Sequence, residues 1–128
     1  MKLHTPLLLS LSALALASGP SDAENIAKCH KRNPDILKAI HDFCNKPAGD
    51  TIMVPSPYAD AGTTVGKAHV SVTGDCKPKQ WLPRKWCLLQ FHEICGLDMG
   101  FSGKGYGAML QGRDNCQRFN IEKVKKGK

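Results

Sequence analysis

The chain has no Cys-x-x-Cys pair, no Gly-x-Ser-x-Gly turn and no Asn-x-Ser/Thr triplet in its 128 residues. The first absence weighs against a structural zinc site, whose ligands come in tight pairs. His30 beside Cys29, and His41 three residues before Cys44, do not make up for it. The second removes the strained serine turn of one large hydrolase class, and the third leaves no acceptor for N-glycosylation. Two other motifs begin and fail. Gly62-Thr63-Thr64-Val65-Gly66-Lys67-Ala68 resembles a phosphate loop, but Ala61 stands where the first glycine belongs and Ala68 where Ser or Thr belongs. His92-Glu93 starts a zinc-protease helix motif, and Gly96 occupies the place of its second histidine. Repeats and low-complexity tracts are absent too. Acidic residues are scarce, 11 against 18 Lys and Arg, which leaves a net charge of +7. Such a balance draws a protein toward anionic partners, though it also serves solubility alone.

What is present begins with a leader. Lys2 precedes an apolar run from Leu7 to Ala17, interrupted by Ser10 and Ser12, before Ser18 to Asp22 turn polar. Ala15-Leu16-Ala17 and Ser21-Asp22-Ala23 both satisfy the small-residue rule for signal cleavage. Cleavage after Ala23 is preferred, because Gly19 and Pro20 then break the leader helix before the cut. Residues 1–23 are thus expected as a signal peptide and residues 24–128 as one disulfide-rich secreted domain with a basic C-terminal tail. The run is too short for a membrane anchor, which takes about 20 apolar residues, and no later segment is longer. Six cysteines follow the cut: Cys29, Cys44, Cys76, Cys87, Cys95 and Cys116. An even number in an exported chain reads as three disulfides. A domain this short gains much from such staples.

Local patterns suggest the elements. A strand is expected around Ile26 to His30. Asn33-Pro34-Asp35 has a capping residue, a proline for the first helical position and an acid for the dipole. Ile36, Leu37, Ile40, Phe43 and Cys44 then recur at helical spacing up to about Cys44. Thr51 to Val54 is a short strand candidate, ended by Pro55 and Pro57. Lys67 to Thr73 alternates as a strand, with Ala68, Val70 and Val72 on one face. A second helix opens at Pro83, shows Cys87, Leu88, Phe91, Ile94 and Cys95 on one face, and has Gly96 as its C-cap. Gly100 to Gly107 reads as a loop and Arg118 to Val124 as the last strand. Tyr106 to Leu110 could add another strand, without commitment. The fold class expected is α+β: a small disulfide-stapled βαββαβ split sandwich, two helices on one face of an antiparallel sheet. Cys87 and Cys95 rise about 12 Å apart on one helix, too far for a disulfide. Cys29–Cys44 is the preferred guess for one bond, and the remaining connectivity stays open.

Two segments stand out for binding. Trp81-Leu82-Pro83-Arg84-Lys85-Trp86 sets two tryptophans around a basic pair at a helix start, residue types favoured at interfaces and membrane surfaces. Core packing of those tryptophans is the competing reading. Val54-Pro55-Ser56-Pro57-Tyr58-Ala59-Asp60 could present Tyr58 on a rigid loop, or simply break an edge strand. The candidate contacts are Trp81, Arg84, Lys85, Trp86 and Tyr58. No catalytic motif is present. His30, His41, His69, His92 and Glu93 form a pool from which a ribonuclease could draw an acid and a base.

The blocks Val54 to Asp60, Trp81 to Cys95 (W-x-P-x-x-W-C-x-x-Q-F-x-x-I-C) and Cys116-Gln117-Arg118-Phe119-Asn120-Ile121 resemble small secreted cysteine-rich proteins of filamentous ascomycete fungi, many of them candidate effectors of plant pathogens. The expected element order is similar to that of the α/β-sandwich killer toxin of smut fungi, without matching motifs. The resemblance implies secretion, action on a host or competitor, no cofactor and no catalytic residues. The function expected is therefore that of a secreted effector or toxin-like binding protein. A secreted hydrolase such as a ribonuclease and a membrane-directed antimicrobial protein are the alternatives. The partner would be a host or competitor protein, or an anionic surface of membrane or polysaccharide, with no specific nucleic acid. The chain is expected to be monomeric and extracellular, with later entry into host cells left open, and no metal is implied.

Overall fold

The computed structural model describes residues 20–125, so the expected leader lies outside it except for Pro20 to Ala23. In chain order the elements are α1 (Asp22–Arg32), α2 (Pro34–Asn45), β1 (Met53–Val54), α3 (Pro57–Ala61), β2 (Thr63–Val65), β3 (Ala68–Thr73), β4 (Gln80–Trp81), α4 (Arg84–Leu97), β5 (Gly107–Gln111), a 3-10 turn (Arg113–Asn115) and β6 (Gln117–Lys123). The protein is α+β, with antiparallel sheets and three disulfides.

The first element corrects the expected order. Ile26 to His30 is helical, not extended, and the cause lies just upstream. The Ser21 hydroxyl accepts from the Glu24 amide at 3.2 Å, and the Glu24 carboxylate accepts from the Ser21 amide at 2.8 Å. This reciprocal pair satisfies two amides at the helix start. Asp22 and Glu24 at one end, and His30, Lys31 and Arg32 at the other, complement the helix dipole. Asn33 then ends α1 through its amide and starts α2, its side-chain oxygen accepting from the Ile36 amide at 3.3 Å. α2 buries Ile36, Ala39, Ile40, Phe43 and Cys44, the face its spacing suggests.

The larger sheet runs β2-β3-β6-β5, and β1 pairs with β4 in a separate two-stranded ribbon. Gly66 and Lys67 turn β2 into β3, so the failed phosphate loop is a hairpin. Val70 pairs with Ile121, and Val72 with Phe119. These side chains face α2 and α4. Phe91 stands edge-on to both Phe43 and Phe119, at ring separations of 5.9 and 4.9 Å, and joins helices to sheet. Burying each such ring contributes roughly 1.5–3 kcal/mol. The opposite sheet face is polar, where the Asn120 amide donates to Thr73, Ser71 and the Arg118 carbonyl. Ser71 and Asn120 are themselves buried, with the Gly62 turn lying against Ser71, so these bonds satisfy enclosed polar groups. Tyr106 lies just outside β5, which supplies the strand left open from the sequence.

Disulfides run Cys29–Cys95, Cys44–Cys87 and Cys76–Cys116. Cys87 and Cys95 do not pair with each other, but Cys29–Cys44 is also not formed. With α1 a helix, each cysteine of α4 reaches a different neighbour, Cys87 to α2 and Cys95 to α1. Gly96 does not cap α4; Asp98 does, in the left-handed conformation. Gly96 is buried inside the helix, and a Cβ there would come within 2.7 Å of the Asn25 backbone. The glycine lets α1 approach, and the Arg32 guanidinium then donates to the Cys95 and Gly96 carbonyls. Among the described residues no helix is long and apolar enough to cross a membrane.

Candidate functional site

The start of α4 and the β1–β4 ribbon leave two large aromatic side chains in water. Trp81 is 56% exposed and Trp86 47%. Trp81 ends β4, where pairing with Met53 fixes its backbone. Its indole N–H donates to the Asp50 carbonyl at 2.8 Å. That is the only donor of the ring, so the indole is held in one orientation with its surface uncovered. The Asp50 carboxylate accepts from the Arg84 amide at 2.5 Å and so ties the first turn of α4 to the same loop. The Arg84 guanidinium donates to the Pro47 carbonyl at 3.0 Å. Arg84 therefore braces the turn under Trp81 rather than extending into solvent. Lys85 is exposed, its ammonium 5.9 Å from the centre of the Trp86 ring, at the outer limit of a cation–π contact.

Both tryptophans border a groove of about 390 Å³ that Gln80, Gln117, Lys79 and Arg113 also line. The volume lies in the range of small-ligand sites. The Gln80 amide oxygen accepts from the Gln117 side chain at 2.9 Å and from the Arg113 amide at 3.3 Å, and its NH2 donates to the Arg113 carbonyl at 3.2 Å. The network joins residues far apart in sequence, and the Cys76–Cys116 bond holds the two walls beside it. Among the described residues no Asp or Glu lines the groove.

Of the expected contacts, Trp81 and Trp86 come together at this groove, Lys85 sits beside it, and Arg84 supports it from beneath. Tyr58 is elsewhere. Its ring stacks on Phe43 at 5.1 Å and its hydroxyl donates to the Phe43 carbonyl at 2.7 Å. Burial holds the hydroxyl above its ordinary pKa. Tyr58 faces a second depression, shared with Ile52, Met53 and Pro57. Gln80, Gln117, Arg113 and Asp50 went unnoticed in the sequence, which holds no local signal for residues joined only by the fold.

Further along α4 lies a polar chain of a different kind. His92 is buried at 2% exposure. Its Nδ1 is 2.9 Å from an Asp22 carboxylate oxygen, and its Nε2 is 3.1 Å from Nε2 of His41. Three helices thus meet through one line of hydrogen bonds. Burial, then the charge of His92, holds His41 below the ordinary imidazole pKa, while Asp42 and Asp22 oppose that shift. His41 borders an open depression with Asp42, Asn45, Lys46, Thr63 and Thr64. The rest of the histidine pool is not gathered there. His69 is engaged by Thr64 at 2.7 Å, and His30 is exposed on α1. Among the described residues no group of three or more His, Cys, Asp or Glu could hold a metal ion.

Comparison with known proteins brings no relative. No family model matches the chain, and no curated protein or solved structure is significantly similar to it.

Proposed function

We propose that this is a secreted, effector- or toxin-like binding protein that engages a target outside the producing cell through the Trp81–Trp86 face. One observation carries the reading. The Trp81 indole is fixed by its hydrogen bond to Asp50, yet more than half exposed. Folding alone favours burying such a ring, whereas a rigid exposed aromatic is an efficient contact because little entropy is lost when it binds. The leader, the three disulfides and the net charge of +7 are in keeping with this reading.

The test uses fluorescently labelled, oxidised protein applied to intact plant cells and to competitor fungi. Saturable binding to one of these surfaces is expected, reduced about tenfold or more in a Trp81→Ala/Trp86→Ala variant whose disulfides and far-UV spectrum are unchanged. Equal binding by the variant, or no saturable binding to any surface, overturns the reading.

The Asp22–His92–His41 line favours hydrolysis as a second reading, since a carboxylate orienting an imidazole is a known base arrangement. It ranks lower because the two Nε2 atoms face each other, which leaves only Nδ1 of His41 for a substrate. Degradation of RNA by wild-type protein, lost in His92→Ala, would raise it above the first.

A further inference from the structure

Resting on that reading, we infer that the groove takes a short stretch of an acidic polysaccharide, with sugar rings on Trp81 and Trp86 and carboxylates at Lys79 and Arg113. The chemistry of the lining selects this class. The two indoles offer flat apolar surfaces of the size of a pyranose ring, whose faces are rows of C–H groups. Between them the Gln80 and Gln117 amides are held in place by each other and by the Arg113 backbone. Such amides both donate and accept, as hydroxyls do; Gln117 is nearly buried and holds Gln80 in place, and the hydrogen bonds above use one of the two N–H donors of the half-buried Gln80.

Charge narrows the class further. Lys79 and Arg113 are exposed at the groove, and among the described residues no carboxylate lines it opposite them. A uronic acid supplies the matching anion, and guanidinium pairs with carboxylate through charge-assisted bonds. A membrane would meet a poor fit, since neutral amides interrupt the apolar surface between the tryptophans. Single-stranded nucleic acid also stacks on aromatic rings in basic grooves. Here ordered neutral amides stand beside the cations, which fits a uronic acid, with hydroxyls and a carboxylate on the same ring, better than a phosphate backbone poor in hydroxyls.

The chain has only two tryptophans, and both stand at this groove, so intrinsic fluorescence reports on it without a label. Oxidised protein would be titrated at low salt with a short oligogalacturonate, with the same oligomer fully methyl-esterified, and with oligothymidylate. The expected result is a saturable fluorescence change with oligogalacturonate. The esterified oligomer, and an Arg113→Gln/Lys79→Gln variant, should each bind about tenfold more weakly or worse. Trp86→Ala should abolish most binding, and Trp86→Phe, which keeps a smaller stacking surface, should retain part of it. Equal affinity for the esterified oligomer overturns the acidic class. Tighter binding of oligothymidylate overturns it in favour of nucleic acid. No response to either sugar overturns it as well. In that last case the cell-surface assay separates the two levels. If surface binding still depends on the tryptophans, only the ligand class fails; if it does not, the binding face fails with it.

Discussion

Helix α4 departs from ordinary burial in opposite directions along its length. Near its start Trp86 is about half in water beside the exposed Trp81, while fewer than two turns later the polar His92 is almost wholly enclosed. Either side chain would be expected in the other's place. The difference lies in what surrounds them. At His92, α1 and α2 close over the helix and supply two hydrogen-bond partners, Asp22 and His41, so the buried imidazole is not left unpaired. At Trp86 the described residues leave the helix partly open; the β1–β4 ribbon and the Arg113 turn stand around a groove instead. The enclosed end is explained by internal contacts. The open end is where the proposed ligand would sit.

That contrast can be pressed experimentally, and the disulfides should give the largest effect. Cys29–Cys95 clamps the enclosed end to α1, and Cys76–Cys116 clamps the groove. Replacing either pair with serine should cost about 2–5 kcal/mol in chemical denaturation. Only loss of Cys76–Cys116 should shift the tryptophan emission of the folded protein. An equal shift from both would mean that the two ends are not independent.

Gly96→Ala comes next. Its methyl group would meet the Asn25 backbone at 2.7 Å, and separating α1 from α4 should cost about 1–3 kcal/mol. Unchanged thermal stability would show that α1 has room to move. Asp22→Ala should cost about 1 kcal/mol by leaving Nδ1 of His92 without its partner. The same residue bears on processing. Cleavage after Ala23 would remove both Ser21 and Asp22, whereas cleavage after Ala17 keeps the capping box and the His92 contact. The intact mass of secreted protein decides between the two cuts: a mass beginning at Glu24 is the cut the sequence prefers and removes both features, whereas one beginning at Ser18 retains them.

A smaller effect should appear with pH. His41 in the folded protein sits below the ordinary value of 6.5, so below that value the unfolded chain binds more protons than the folded one. Stability contributed by this group is therefore complete above about pH 6.5 and declines as pH falls from there through the lowered folded value. Denaturation midpoints across mildly acidic pH should fall less in His41→Gln than in wild type. Smallest of all, Trp86→Ala should change stability by about 1 kcal/mol or less, because half of that ring is already hydrated. A large loss would place Trp86 among the structural residues and weaken the binding face.

Much of this fold was legible locally. The Asn33-Pro34 start and apolar spacing of α2, the alternation of β3 and the apolar face of α4 each lie within a few residues of chain, and the structure carries all three. α1 was missed because it buries only Asn25 and Cys29, too few for an apolar stripe, although Ser21 and Glu24 already formed a capping pattern. The tryptophans were identifiable as contacts by type and spacing. Arg84 was not identifiable as a brace, because its partners at Pro47 and Asp50 come from a turn more than thirty positions away.

By itself, then, the sequence determined the place of α2 and β3, the start and apolar face of α4, how many disulfides can form, and that the chain is basic. Those properties depend on caps, periodicity and composition, which act over a turn or two of chain. The tertiary structure alone decided which cysteines meet, across 66, 43 and 40 positions, and that Asp22 reaches His92 across 70. It also decided that the tryptophans share a groove with glutamines from β4 and β6. Such pairings follow from how the faces of distant elements bury one another, and a local pattern carries the face but not its partner.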